Sequence, residues 1–288
     1  MSTNTVPLYQ SAASWDSHAK DYQMPHKGFA MTIVKDVISS LSAIRPFSSE
    51  YTSFLDDGCG TGNLIAHLID SHGQELPPSA RLIAADFSSG MIDRVSKLKA
   101  AEANPVWQKV ETLVQDAMNL NDIADAEITH VGSAACIFMV PDPQKAIEEA
   151  HRVLVPGGAF AWSSFKSILH QPALEVLSTK MGLEIPNHII PAQMRSEQGV
   201  SEAMKQAGFV NIRTSASKMT VPLPPDQRSF WSGMFRSGNP GMEEMMNGWS
   251  LEQRDNAAKL VATELEAKGL KELVAETIVV AGQKKPVA

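Results

Sequence analysis

Three carboxylates stand at or just beyond the ends of three apolar runs. Asp56 follows Phe54-Leu55, Asp86 follows Leu82-Ile83-Ala84-Ala85, and Asp116 comes soon after Val110–Val114. Behind the first lies Asp57-Gly58-Cys59-Gly60-Thr61-Gly62-Asn63, with glycine at three alternate positions, and then the amphipathic run Leu64–Ile69. Glycine admits positive φ and lets backbone approach a ligand with no Cβ in the way. The pattern is strand, tight turn, helix, and the N–H groups at such a helix start favour acceptors and negative charge. The carboxyl edge of a doubly wound sheet is where ligands bind, and an acid ending the second strand can accept hydrogen bonds from both hydroxyls of a ribose. Asp86 holds that position.

Two classes of nucleotide site compete for the turn. The dinucleotide fingerprint G-x-G-x-x-G places a pyrophosphate on the helix N-terminus. Here the third glycine arrives one residue early, and Asn63 stands where the fingerprint has glycine. A phosphate-binding P-loop is excluded because no Gly-Lys-Ser/Thr follows. Asp56 would repel a pyrophosphate, whereas it suits an ammonium or a hydroxyl.

These residues need a sheet to position them. The patterning predicts a helix over 28–45, ended by Pro46, and strands near 53–56, 81–86, 110–114, 128–133, 159–163, 210–214 and 274–281. Helices are expected after the glycine turn, after Phe87-Ser88-Ser89 with a serine cap, over 144–154 and over 194–207. Trp15 and Tyr22 are seven apart, on one face of a further N-terminal helix. Between the last two strands lies a Met- and aromatic-rich stretch, Phe230-Trp231-Ser232-Gly233-Met234-Phe235 and Met242 to Trp249.

The phrase Asp56-x-Gly-x-Gly-x-Gly resembles motif I of the class I S-adenosylmethionine (SAM)-dependent methyltransferases. Ala85-Asp86-Phe87-Ser88-Ser89-Gly90-Met91 is similar to the family's D-x-S-x-x-M, and the run from Pro141 to Gly158 to its late signature; the block 128–158 resembles small-molecule methyltransferases of fungal secondary metabolism. The resemblance implies an α/β, Rossmann-like doubly wound seven-stranded sheet, order 3-2-1-4-5-7-6, with the last strand antiparallel and a helical cap. It implies SAM as cofactor and S-adenosyl-L-homocysteine (SAH) as product. Cofactor contacts are expected from Tyr22, Asp56, Gly58, Cys59, Gly60, Asn63, Asp86, Phe87, Met91, Asp116, Ala117 and Ser133. In this reading Asp86 takes the ribose, Asp116 and Ala117 the adenine, and Tyr22 the carboxylate. Thr129 departs from the family pattern, which often has an acid there. Acceptor lining is expected from Trp15, His18, Phe138, Phe165, Trp231, Met234 and Phe235. His170, beyond strand five, is the candidate base, while His130 and His151 read as structural.

The expected division is an N-terminal helical lid segment (1–50), a SAM-binding core (51–223), a helical cap insertion (224–270) and the final core strand (271–288). The chain has 288 residues, 43 % apolar and 20 % charged, with a net charge of −7. That balance, with no basic block, disfavours a nucleic-acid partner. Cys59 and Cys136 are too few for a disulfide framework and lack zinc-ligand spacing; no metal is expected. No run is long enough to span a membrane, and a cytoplasmic monomer or homodimer acting on a small-molecule acceptor is the expectation. The leading activity is methyl transfer to an O, N, S or C nucleophile of a largely apolar acceptor. A cyclase or lyase that binds SAM without transferring methyl, and a non-enzymatic SAM-binding regulator, remain alternatives.

Overall fold

The computed structural model describes residues 6–20, 22, 27–183, 190–237 and 239–287. At its centre is a seven-stranded sheet of order β3-β2-β1-β4-β5-β7-β6. Strands β1 (Ser53–Asp57), β2 (Arg81–Asp86), β3 (Val110–Val114), β4 (Ile128–Ser133) and β5 (Leu154–Ser167) run parallel. Strand β7 (Glu272–Lys284) is antiparallel to β5 and to β6 (Phe209–Pro222). Order and strand directions are those the resemblance implied.

Every residue of β1 is buried. Its alternate side chains enter two cores, as a strand covered on both faces must. Phe54 joins the core under α2 (Lys27–Ile44), α3 (Asn63–His72) and α4 (Ser89–Ala101). Leu55 joins the other, under α5 (Pro143–Val153) and α7 (Glu197–Gln206). A third core belongs to α6 (Gln171–Met181), α8 (Gln227–Phe235), α9 (Pro240–Met245) and α10 (Leu251–Ala267).

The half of the sheet beneath that third core is longer than the sequence patterning predicts. Ser133, the last residue of β4, pairs with Trp162, yet β5 continues to Ser167, where it pairs with Glu276 of β7. Five residues at about 3.3 Å each carry β5 roughly 16 Å past β4. Strand β6 extends likewise to Pro222, opposite Glu272. Its outer stretch, Met219 apart, is exposed or half-buried, so its sequence is too polar to stand out as a strand.

Thr129 has a definite role. Its Oγ1 donates to the Ser53 carbonyl (2.7 Å) and accepts from the Ser53 N–H (2.9 Å), while Ser53 Oγ accepts from the Thr129 N–H (3.0 Å). The β1–β4 ladder begins one residue later, at Phe54 and His130. A hydroxyl thus closes the ladder's open end where the family often has an acid. His130 is buried beside it, with Nδ1 2.7 Å from Thr129 Oγ1 and Nε2 3.0 Å from the Arg45 carbonyl. Burial lowers its pKa to about 4, so it is a neutral structural imidazole whose Nε2–H donates to the Arg45 carbonyl and whose Nδ1 competes with the Ser53 carbonyl for the Thr129 hydroxyl proton.

Thr129→Val should strand the buried Ser53 N–H and carbonyl and lower unfolding free energy by about 2–6 kcal/mol, at about 1–3 kcal/mol for each unsatisfied buried group. Urea denaturation measures it; a loss below about 0.5 kcal/mol would show that the hydroxyl does not hold the ladder end.

Candidate cofactor and acceptor site

The turn between β1 and α3 is built on three left-handed residues: Gly58 at φ +70°, Gly60 at +51° and Gly62 at +84°. Each is unfavourable for a residue with a Cβ. The three glycines differ in what that missing Cβ would meet. At Gly58 it would lie 2.2 Å from Cys136 Sγ, at Gly62 it would press on Val95 at 3.2 Å, and at Gly60 nothing stands within 4 Å. Gly58 and Gly62 are therefore needed for packing. Gly60 leaves open space beside a cavity that it lines.

Two carboxylates hold this turn. Gly62, the N-cap of α3, has no side chain to cap the helix. The Ile65 N–H is satisfied instead by Asp56, reaching across from the end of β1 (3.0 Å). Asp86 accepts from Gly60 N–H through one oxygen and from Ser88 N–H through the other, each at 2.9 Å. Both acids are buried, and burial raises both pKa values. Each carboxylate oxygen retains a further acceptor site, so neither acid is exhausted by its backbone partners.

The cavity collects most of the expected cofactor residues. Asp56, Gly58, Cys59, Gly60 and Asn63 line it from the turn. Asp86, Phe87 and Met91 line it from the end of β2 and the first turn of α4, and Asp116 and Ala117 from the loop after β3. One Asp116 oxygen accepts from Met118 N–H (2.8 Å). Tyr22 closes it from the N-terminal side, edge-on to Trp15 with ring centroids 5.5 Å apart. Burial pushes the Tyr22 hydroxyl up to about 12, and that group is hydrogen-bonded to Asn239.

The rest of the wall comes from Tyr9, Gln10 and Trp15 and from the chain after β4, including Ala134, Ala135, Cys136, Met139, Val140 and Pro141. Ala135 sits at φ +57°, held by its N–H donating to Ser163 Oγ (2.8 Å). Residues 8–19, comprising a short 3₁₀ turn and α1 (Ala12–Ala19), lie across the cavity and are tied at several points. Leu8 N–H donates to Glu244 of α9 (2.7 Å), Gln10 Nε2 to the Met139 carbonyl (3.1 Å) and Trp15 Nε1 to the Tyr9 carbonyl (2.9 Å).

Sequence reasoning passed over the strongest of these ties. Asp16 Oδ1 accepts from Ser88 Oγ (2.7 Å) and Gly90 N–H (2.9 Å), and the Gly90 hydrogen bond leads the interactions that lower its pKa. A Cβ on Gly90 would come within 2.8 Å of Ala19 Cβ. The available signal was an acid in α1 together with a glycine in the first turn of α4, which permits two helices to touch there.

Eight expected site residues are elsewhere. Ser133 is fully buried and its hydroxyl donates to the Asp57 carbonyl (2.7 Å), so it supports the cavity from behind. His18 turns its Nδ1 to the Ser14 carbonyl one helical turn back (2.7 Å). Phe138 and Phe165 meet edge to face at 5.4 Å inside the α5–α7 core. Trp231, Met234 and Phe235 fill the third core, where their apolar area is consumed between helices. His170 begins α6 and does not line the cavity, because the overlong β5 carries the chain beyond it. Burial lowers its pKa to about 4.

Among the described residues that line the cavity there are three acids and no Lys, Arg or His. Such a wall disfavours a phosphate and suits a cation. SAM, the cofactor the resemblance implies, fits: it carries a sulfonium, an ammonium and a ribose but no phosphate, and the open space at Gly60 gives it backbone to lie against.

A model of the methyltransferase domain matches residues 55–162. The chain is 26 % identical to the methyltransferase ucsB of an Acremonium species, over 91 % of both chains. It is 25 % identical to the methyltransferase ktnA of Aspergillus niger, over 96 % of this chain and all of that one. Among solved structures it shares its fold with the [4+2]-cyclase SpnF, at a TM-score of 0.58 and 15 % identity over 98 % of this chain and 97 % of that one.

Gly60→Ala should cost about 1–2 kcal/mol of stability for its left-handed backbone while weakening SAM binding at least tenfold, since the methyl group enters the cavity. Gly58→Ala adds a clash with Cys136 and should destabilise by several kcal/mol, as overpacking does. Calorimetric titration and thermal melts separate the two; undiminished SAM affinity in folded Gly60→Ala would refute the placement.

Proposed function

We propose a small, largely apolar acceptor for this chain, which belongs to the SAM-dependent methyltransferases and uses S-adenosyl-L-methionine as methyl donor. The observation that carries the proposal is the wall beyond the cofactor acids. Tyr9, Trp15, Met139, Val140 and Pro141 line it, a surface that binds flat or greasy molecules through burial of apolar area. In this reading the N-terminal segment is the lid, residues 224–270 are the cap, and residues 51–223 and 271–288 are the core.

Bound SAM supplies a methyl group already activated by its sulfonium, and displacement by an O, N, S or C nucleophile leaves SAH. The chain's part is then to orient and enclose. Asp56, Asp86 and Asp116 fix one end of the cavity. The lid excludes water through its ties to Met139, Glu244 and the start of α4. Proximity and alignment of this kind supply much of the acceleration in a displacement at an activated carbon.

No imidazole or amine among the described lining residues is placed to take the acceptor's proton. The reading that follows is an acceptor that enters already deprotonated, such as a thiolate, an acidified phenol or an activated carbon acid, having lost its proton to solvent before the lid encloses it.

The test is a panel of phenolic, amine, thiol and peptide acceptors offered with SAM, with SAH and methylated product both read by mass spectrometry. Apolar acceptors should give equal amounts of the two. Turnover confined to charged or peptide acceptors would contradict the acceptor class, and a product formed without SAH would indicate a cyclase or lyase. Met139→Gln should lower kcat/KM for an apolar acceptor by about tenfold, the loss expected for roughly 1.4 kcal/mol of binding, and leave SAM affinity within about twofold.

A further inference from the structure

A fourth acid lies behind the cavity wall, and the role of the cofactor cradle does not account for it. Asp57 ends β1, one residue before the Gly58 that lines the cavity, and is 1 % exposed. Neither of its carboxylate oxygens has a hydrogen-bond partner. The other acids around it are each engaged: Asp56 with Ile65 N–H, Asp86 with Gly60 and Ser88 N–H, Asp116 with Met118 N–H. On the remaining sides stand Cys136 in the loop after β4 and Glu149 of α5. Glu149 is already paired with Arg152 and accepts from the Leu120 N–H. No cation is recorded against Asp57 among the described residues.

A buried carboxylate with neither donor nor counter-ion is expensive to ionise. Desolvation, with the charges of Asp86, Asp116 and Glu149, pushes Asp57 up to about 7. What would ionise it is a positive charge arriving nearby. SAM carries a net charge of +1, from sulfonium and ammonium against one carboxylate, whereas SAH is neutral. A sulfonium has no N–H or O–H to donate, so a charge acting through space is a natural balance for it, and low dielectric makes such an interaction strong.

We propose that Asp57 is the buried counter-charge to the sulfonium, protonated in the free enzyme and ionised when SAM fills the cavity, so that donor binding releases one proton more than product binding does. Asp57 acts through the Gly58–Cys136 layer and touches no reacting atom. When methyl transfer removes the sulfonium charge, Asp57 takes a proton back from solvent, and the site's electrostatic preference for the donor over the product disappears with it. The inference rests on SAM as the donor and is independent of the acceptor class.

The test is titration of the whole protein with SAM and with SAH at pH 6, where the amino groups of both ligands stay protonated, in two buffers of different ionisation enthalpy. With Asp57 about nine-tenths protonated, SAM should release about 0.5–0.9 proton more than SAH, because Asp56 and Asp86 meet groups that the two ligands share. From pH 5.5 to 6.5 SAM affinity should rise by up to about tenfold more than SAH affinity does. Asp57→Asn should abolish both differences. Equal release by the two ligands, or SAM-specific release persisting in folded Asp57→Asn, would overturn the proposal. Failure of both ligands to bind wild type would overturn it together with the cofactor assignment. Should Asp57→Asn not fold, the infrared difference spectrum of wild type at pH 6, SAM-bound minus SAH-bound, should lose the C=O band of a protonated carboxyl; a spectrum without that loss overturns the proposal equally.

Discussion

Two carboxylate-to-backbone hydrogen bonds hold the turn on which the site depends. Asp56 receives the Ile65 N–H and Asp86 receives the Gly60 N–H. The first replaces the missing cap of α3, and the second pins the turn's left-handed apex to the end of β2. Three alternate positive-φ glycine positions would otherwise be a costly way to join strand to helix, since glycine gives up the most conformational freedom on folding. The acids recover part of that cost, and the same geometry leaves their remaining acceptor sites at the rim of a cavity.

The cavity wall carries negative charge with no basic side chain among its described residues. A wall of this charge argues against a pyrophosphate more sharply than the glycine spacing does. The proposed cofactor contacts are carboxylates, backbone groups and aromatic edges. A cyclase with the same fold illustrates that the sheet alone does not decide the reaction.

The glycine turn and the strand-end acids were legible in the sequence because their meaning is local. A left-handed position needs glycine, and an acid closing an apolar run falls at the sheet's carboxyl edge. Strand order and the antiparallel last strand followed from the family resemblance. The acceptor side was much less legible. Trp231, Met234 and Phe235 carry an apolar signal that fits a pocket as well as a core, and only the packing of α6, α8 and α10 decides for the core. His170 was misplaced because the polar outer half of β6 hides the sheet's extension, and with it the distance that β5 travels. Tyr9, Gln10 and Met139 enter the site through long-range tertiary ties that leave no periodic trace. Asp57 was visible only as a variable position in a motif; its isolation is a property of the fold.

The central claim is that this turn and its acids hold a phosphate-free cation. Calorimetric titration of the purified protein with SAM and, separately, with NAD tests it most directly. The account predicts SAM binding with Kd on the order of micromolar and no heat from NAD. NAD binding as tight as SAM, or no binding of SAM, would contradict it.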